Sequence, residues 1–383
     1  MRVMERKREI WLDWLRVTAC FMVMVVHSTE PFYLGGDGGQ VLSATDAFWA
    51  AVFDSVCRSA VPLFIIASSY LQFPLHYSTG EFFKRRAVRI IVPVLIWTVV
   101  YALVWGEPVE NFKGLLLNFN YAAGHLWFMY MLVGMYLIMP LLSPWAEKVS
   151  RKELGAYVLL WLFTTLIPFI RDAAGGVAPL IQAPDGLPAA ALYPLWGEAS
   201  WNPFGTFYYI SGFIGYMLVG LYIKKFVPRS KLIGVIGWTM FLLGFILAAW
   251  GFMSRMVESG PFPVNVTLDV AVSWEVPITF CGTFVAMMAV GLVLAFRSMS
   301  DNESWCYRNA IRPLSEAGYG MYLTHMLVLA VYAPLFRSAF GNAFSQSAAT
   351  PLTILSTALA TFATVGVACI LIRKIPRIGT WIA

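Results

Sequence analysis

Charge is what this 383-residue chain has least of: Asp, Glu, Lys and Arg make up 13% of it, against about 25% in an ordinary soluble domain. With 59% apolar residues and a mean hydropathy of +0.69, that scarcity excludes both disorder and a soluble fold. No single core of this size hides so much apolar surface. Cysteine is sparse too. Cys20, Cys57, Cys281, Cys306 and Cys369 are scattered without CxxC spacing, so neither a zinc site nor a disulfide framework is expected. The four histidines show no HxxxH or nearby carboxylate pattern, and no metal is expected. A G-x-S-x-G elbow is missing, which argues against an acyl-serine intermediate. The net charge of +6 does not imply nucleic acid here, because basic loops orient membrane segments.

What is present is a series of apolar runs, each long enough to cross a bilayer core of about 30 Å. We count ten, at 11–29, 47–72, 89–106, 125–143, 154–171, 204–223, 232–253, 268–296, 313–336 and 351–372. The sequence therefore predicts an all-α, polytopic membrane protein. The first run follows basic residues as a signal peptide would, but Asp13, Arg16 and His27 interrupt it and HSTEPFYL lacks a cleavage site, so it reads as a retained span. With the N-terminus cytoplasmic, 21 of the 27 Lys and Arg fall in inner segments and four in outer ones. Only an even number of spans preserves that alternation, so both termini are expected inside. The longest connection, about 172–203 on the outer side, reads either as a binding loop or as a passive interfacial one. The chain stops about ten residues after the last run, and no appended soluble domain is expected.

A charge at membrane depth needs a partner or a purpose. Asp13, Arg16, His27 and Glu30 share one arc of about 100° on the first helix, a polar stripe facing the bundle interior. Arg16 and His27 are eleven residues apart, about 16 Å along a helix. An anion held by Arg16 could send an arm as long as pantetheine to His27. Equally, Asp13 and Arg16 could be a local i,i+3 pair and His27 an interior histidine. His27, His125 and His325 fall at one depth, in the outer half. Asp54 and Arg58 have the i,i+4 spacing of a neutralising pair, whereas Glu275 has no sequence-local partner and is expected in a wet cavity or protonated. FFKRRAVRI places Arg85, Arg86 and Arg89 at the inner surface, as a topology anchor or as a phosphate clamp.

Five segments, in order, carry a family likeness: WLDWLRVTACFMVMVVHS from Trp11, RSAVPLFIIASSYL from Arg58, the Arg86-Ala-Val-Arg89 pair, GHLWFMYMLVGMYLIMPLL from Gly124 and SEAGYGMYLTHMLVL from Ser315. The chain resembles the acyltransferase-3 family of bacterial membrane acyltransferases, in particular a stand-alone subgroup that includes the enterobacterial common antigen O-acetyltransferase. Val17 and Ser68-Ser69-Tyr70 depart from the family's usual glycines. The resemblance implies a single membrane domain over 1–383 in a bacterial cytoplasmic (inner) membrane. It implies transfer of an acyl group, usually acetyl, from cytoplasmic acyl-CoA to a hydroxyl of an envelope carbohydrate or glycolipid, without a metal. Arg16, Arg86 and Arg89 would hold the CoA phosphates and His27 would be the catalytic histidine. From i,i+3 geometry we add Glu30 as its orienting carboxylate. His125 and His325, in family-like segments, are expected to contact the acceptor or stabilise an oxyanion; Arg58, Trp127 and Glu275 complete the expected substrate-binding set. A transporter or flippase of a lipid-linked glycan is the alternative, and a structural subunit a third. Membrane lipids are expected partners, nucleic acid is not, and a homodimer is left open.

Overall fold

A computed structural model describes residues 8–34, 40–105, 121–173, 196, 204–376 and 379. Its architecture is helical apart from a two-residue antiparallel bridge, β1 (Gln40–Val41) against β2 (Val264–Asn265). The fourteen α-helices among the described residues are numbered α1 to α14 in chain order below. Hydroxyl caps set several starts: the side chains of Ser43, Ser78, Ser150, Ser230 and Thr267 each accept from the backbone N–H three residues on. These caps satisfy donors that a helix start would otherwise leave unpaired.

Helix α1 (Ile10–Thr29) is the axis of the molecule, most of its residues buried. It packs against α2 (Ala44–Cys57), α3 (Ala60–Gln72), α12 (Thr283–Arg297), α13 (Arg312–Ala343) and α14 (Gln346–Arg373). A helix apolar on nearly every side is stable only when enclosed. The remaining helices are α4 (Thr79–Arg86), α5 (Val92–Val104), α6 (Trp127–Lys148), α7 (Arg151–Thr164), α8 (Ile167–Ala173), α9 (Ile214–Phe226), α10 (Lys231–Glu258) and α11 (Leu268–Trp274).

Nine helical stretches among the described residues are long and apolar enough to cross a membrane. The run expected at 204–223 is not one continuous helix. Gly205 (φ 51°) and Gly212 (φ 74°) adopt left-handed backbone, and only the 13 residues of α9 are α-helical there. This segment is therefore not among the nine membrane-length stretches, although ten were expected. Lys225 Nζ, at its far end, donates to the carbonyls of Ala146, Glu147 and Val149, at the end of the bundle where α7 sets out. The expected run 268–296 also divides, into α11 and a stretch from Val276 to Arg297.

Segments expected on the inner side meet at one end of the bundle: Arg8 with Glu316, Arg229 with Glu9 and Asp301, and Arg297 with the carbonyls of Val227 and Pro228. Segments expected outside meet at the other, through Arg255 with Asp172, Gln346 with Asp46, and Gln40 with Asn265. The loop expected at 172–203 lies mostly outside the described residues. Two π-turns, Ala87–Ile91 and Tyr307–Ile311, occur at the basic end. Each precedes a proline: Pro93 and Pro313 have no N–H to give the carbonyls of Arg89 and Asn309, so the ladder slips by one residue.

Candidate active site

Pro31 ends α1, because it has no N–H for the His27 carbonyl, and the chain turns into a 3-10 segment, Glu30–Phe32. That turn brings the Glu30 carboxylate 2.9 Å from His27 Nδ1. A carboxylate only accepts, so Nδ1–H donates and the Nε2 lone pair is left for other work. Both side chains are partly accessible, at 18% and 30%.

The histidines of three separate helical segments converge. The His325 ring lies 5.2 Å from the rings of both His27 and His125. His325 is fully buried. Its Nδ1, 2.6 Å from the Tyr322 carbonyl, must be the donor there, so a neutral His325 presents Nε2 as an acceptor. No partner meets His325 Nε2 or His125 Nε2 among the described residues. Tyr322 OH donates to the His125 carbonyl, and Tyr101 OH donates to the Leu323 carbonyl (2.9 Å) while its ring stands edge-on to His125 at 4.8 Å. Tyr322 precedes His325 by one turn on the same face, a signal legible in sequence that the motif reading passed over. Among the described residues no group of three or more His, Cys, Asp or Glu has a metal-holding arrangement.

Close enough to act electrostatically on His27, Arg58 joins two carboxylates. Its Nη1 lies 3.2 Å from Asp54 Oδ1 and its Nη2 2.9 Å from Glu275 Oε2, and Nε donates to the Ile278 carbonyl. The expected i,i+4 pair is present, and Glu275 is held within the same network rather than standing alone. Tyr33, absent from the sequence reading, places its hydroxyl between Asp54 (2.6 Å) and Glu275 (2.9 Å). The Arg58 guanidinium also lies 4.9 Å over Phe280, whose ring is 5.3 Å from that of Trp127. Trp127 thus reaches the Arg58 network through one aromatic ring.

At the basic end a cavity of about 520 Å³ opens between helices. Arg16, Arg89 and Arg373 line it with Tyr136, Tyr319 and Tyr322. Asp13 makes no direct ion pair or hydrogen bond with Arg16, although its charge acts on it. Its carboxylate takes Arg8 (2.5 Å), Tyr307 OH (2.8 Å) and Ser315 OH (2.7 Å), and Arg16 has no hydrogen bond or ion pair among the described residues. Burial disfavours the Arg8 cation, but its bonds to Asp13 and Glu316 more than compensate and raise its pKa above the ordinary arginine value. Arg86 is not part of the cavity lining; its guanidinium packs over the rings of Phe82 and Tyr136. Arg373, which charge counting treats as an orienting residue, is brought to the cavity by α14. Tyr322 links the two regions, since it lines the cavity and its ring lies 5.7 Å from His325.

No curated protein and no solved structure matches this chain. A family model described as an acyltransferase domain matches residues 9–373, a range that contains the histidine cluster, the Arg58 network and the arginine-lined cavity. With its bundle of membrane-length helices, the chain belongs to the acyltransferase-3 family and is a membrane acyltransferase.

Proposed function

We propose that this protein transfers an acetyl or other short acyl group from cytoplasmic acyl-CoA to a hydroxyl of an extracytoplasmic envelope carbohydrate, in a bacterial cytoplasmic membrane. The observation that carries the proposal is the division of labour along α1. An unpartnered Arg16 faces a cavity at the basic end, and an imidazole–carboxylate pair stands eleven residues further on, about 16 Å along the helix.

A thioester is already activated, so the reaction needs a base near neutrality and stabilisation of developing negative charge. His27 Nε2 takes the proton of the acceptor hydroxyl as that oxygen bonds to the thioester carbonyl carbon. The C–S bond then breaks, and the proton passes from His27 to the departing thiolate. Glu30 orients the ring and offsets the charge of the imidazolium. Arg16, Arg89 and Arg373 suit the phosphates of the donor. His125, His325, Trp127, Arg58 and Glu275 surround the acceptor side, where an aromatic face and buried polar groups fit a sugar.

The test is release of free CoA thiol from acetyl-CoA by the purified protein. Release should depend on added acceptor and be lost in His27→Ala. Release by His27→Ala at the wild-type rate would remove the enzymatic role from this histidine. Glycan export without any acyl transfer would favour the transport reading.

A further inference from the structure

We infer that Asp54 is a protonated carboxylic acid at neutral pH, and that Tyr33, Asp54, Arg58 and Glu275 form a buried proton-binding site. The inference goes beyond the acyl-transfer reading and does not depend on it. Two observations carry it separately.

The first is a count of hydrogens. The Tyr33 oxygen lies 2.6 Å from Asp54 Oδ2 and 2.9 Å from Glu275 Oε1, yet a phenol has one proton and an ionised carboxylate has none. With both carboxylates ionised, one of these contacts would set lone pair against lone pair. A carboxyl must supply the second hydrogen. The second observation is charge balance. One guanidinium faces two carboxylates, so full ionisation leaves a net negative charge in a site where Tyr33 and Asp54 are wholly enclosed. A buried group with uncompensated charge neutralises itself by taking a proton.

Exposure and distance identify the acid. The Asp54 side chain is 0% exposed and meets Arg58 Nη1 at 3.2 and 3.4 Å. Glu275 is 26% exposed and meets Nη2 at 2.9 Å, so it retains the charge more cheaply. Asp54 Oδ2–H then donates to Tyr33, Tyr33 donates to Glu275 Oε1, and Arg58 donates to Glu275 Oε2 and to Asp54 Oδ1. Each contact has one hydrogen, and the network is neutral.

The groups acting on Asp54 are Tyr33, after α1; Arg58 and Cys57, on its own segment; Glu275, before α12; and Glu30, one turn before Tyr33. Loss of the proton at alkaline pH would place an extra negative charge close to the Glu30 partner of His27.

Infrared spectroscopy of the purified full-length protein, labelled with carboxyl-¹³C aspartate, tests the assignment. A protonated-carboxyl band that shifts with the label and in D₂O is expected at neutral pH and is lost in Asp54→Asn. Should that variant not fold, Asp54→Glu removes the labelled aspartate band while keeping an acid in place. Thermal unfolding gives a second readout. The wild type should lose stability progressively as pH rises from about 4, where an unfolded aspartate ionises, until the folded site gives up its proton; Asp54→Asn should lack that contribution, and Glu275→Gln should melt lower at every pH. Absence of a protonated aspartate band at neutral pH overturns the inference. So does a band that survives substitution of Asp54, or tolerance of Glu275→Gln alongside destabilisation by Asp54→Asn. None of these readouts uses an acyl donor, so failure of acyl transfer leaves them intact.

Discussion

Arg16 and Asp13 sit three residues apart on one helix and do not pair. The Asp13 carboxylate is taken by Arg8, Tyr307 and Ser315, and the Arg16 guanidinium is turned to the cavity instead. An arginine held half-buried without a directly bonded anion costs stability, and a bound phosphate would relieve that cost. Replacing Arg16 by Ala should therefore weaken acyl-CoA binding at least tenfold, about 1.4 kcal/mol, while the unfolding midpoint of the unliganded protein stays level or rises. Calorimetric titration and thermal unfolding separate the two effects. Unchanged affinity would remove Arg16 from the donor site.

Arg89 and Arg86 should behave differently although they share one short motif. Arg89 lines the cavity, so Arg89→Ala should weaken donor binding with topology intact. Arg86 packs on Phe82 and Tyr136, so Arg86→Ala should act mainly on stability, by about 0.5–1 kcal/mol for each lost ring contact. Equal loss of donor affinity in both variants would contradict this division.

Glu30→Gln keeps the size of the side chain but removes the acceptor that holds His27 Nδ1–H. A fall in kcat of about 100-fold or more is expected, with little change in KM for the donor. The rate should also decline on the acid side as protonation takes up the His27 lone pair. A Glu30→Gln variant with wild-type kcat would show that the pair has no part in catalysis.

Gly237 and Gly291 let α10 and α12 touch backbone to backbone. A Cβ on either would fall 2.5 Å from the carbonyl oxygen of the other. Gly237→Leu should thus destabilise the bundle by about 1–3 kcal/mol, measured as loss of folded protein in detergent, whereas an exposed Leu242→Ala on the same helix should be neutral. The two variants together distinguish close packing from general loss of apolar surface.

Several features were legible because they depend only on spacing along a helix. Hydropathy and the basic bias anticipated the helical membrane bundle, and nine of the ten expected runs contain a membrane-length stretch among the described residues, the exception being the sixth, where Gly205 and Gly212 break the helix. The His27–Glu30 and Asp54–Arg58 contacts are i,i+3 and i,i+4 neighbours that any regular helix would bring close. The Asp13–Arg16 spacing was equally good and failed, because Arg8, Tyr307 and Ser315 compete for the same carboxylate from outside the helix.

Sequence alone determined the membrane class, the helical architecture and the polar stripe of α1, since apolar run length and helical period are local properties of the chain. Tertiary structure decided which groups that stripe meets. Glu275 reaches Arg58 across 217 residues, Tyr33 enters between two carboxylates, and Arg373 arrives at the cavity from the far end of the chain. Those meetings follow from how each helix is rotated and packed against α1, and no spacing within a single segment encodes that rotation.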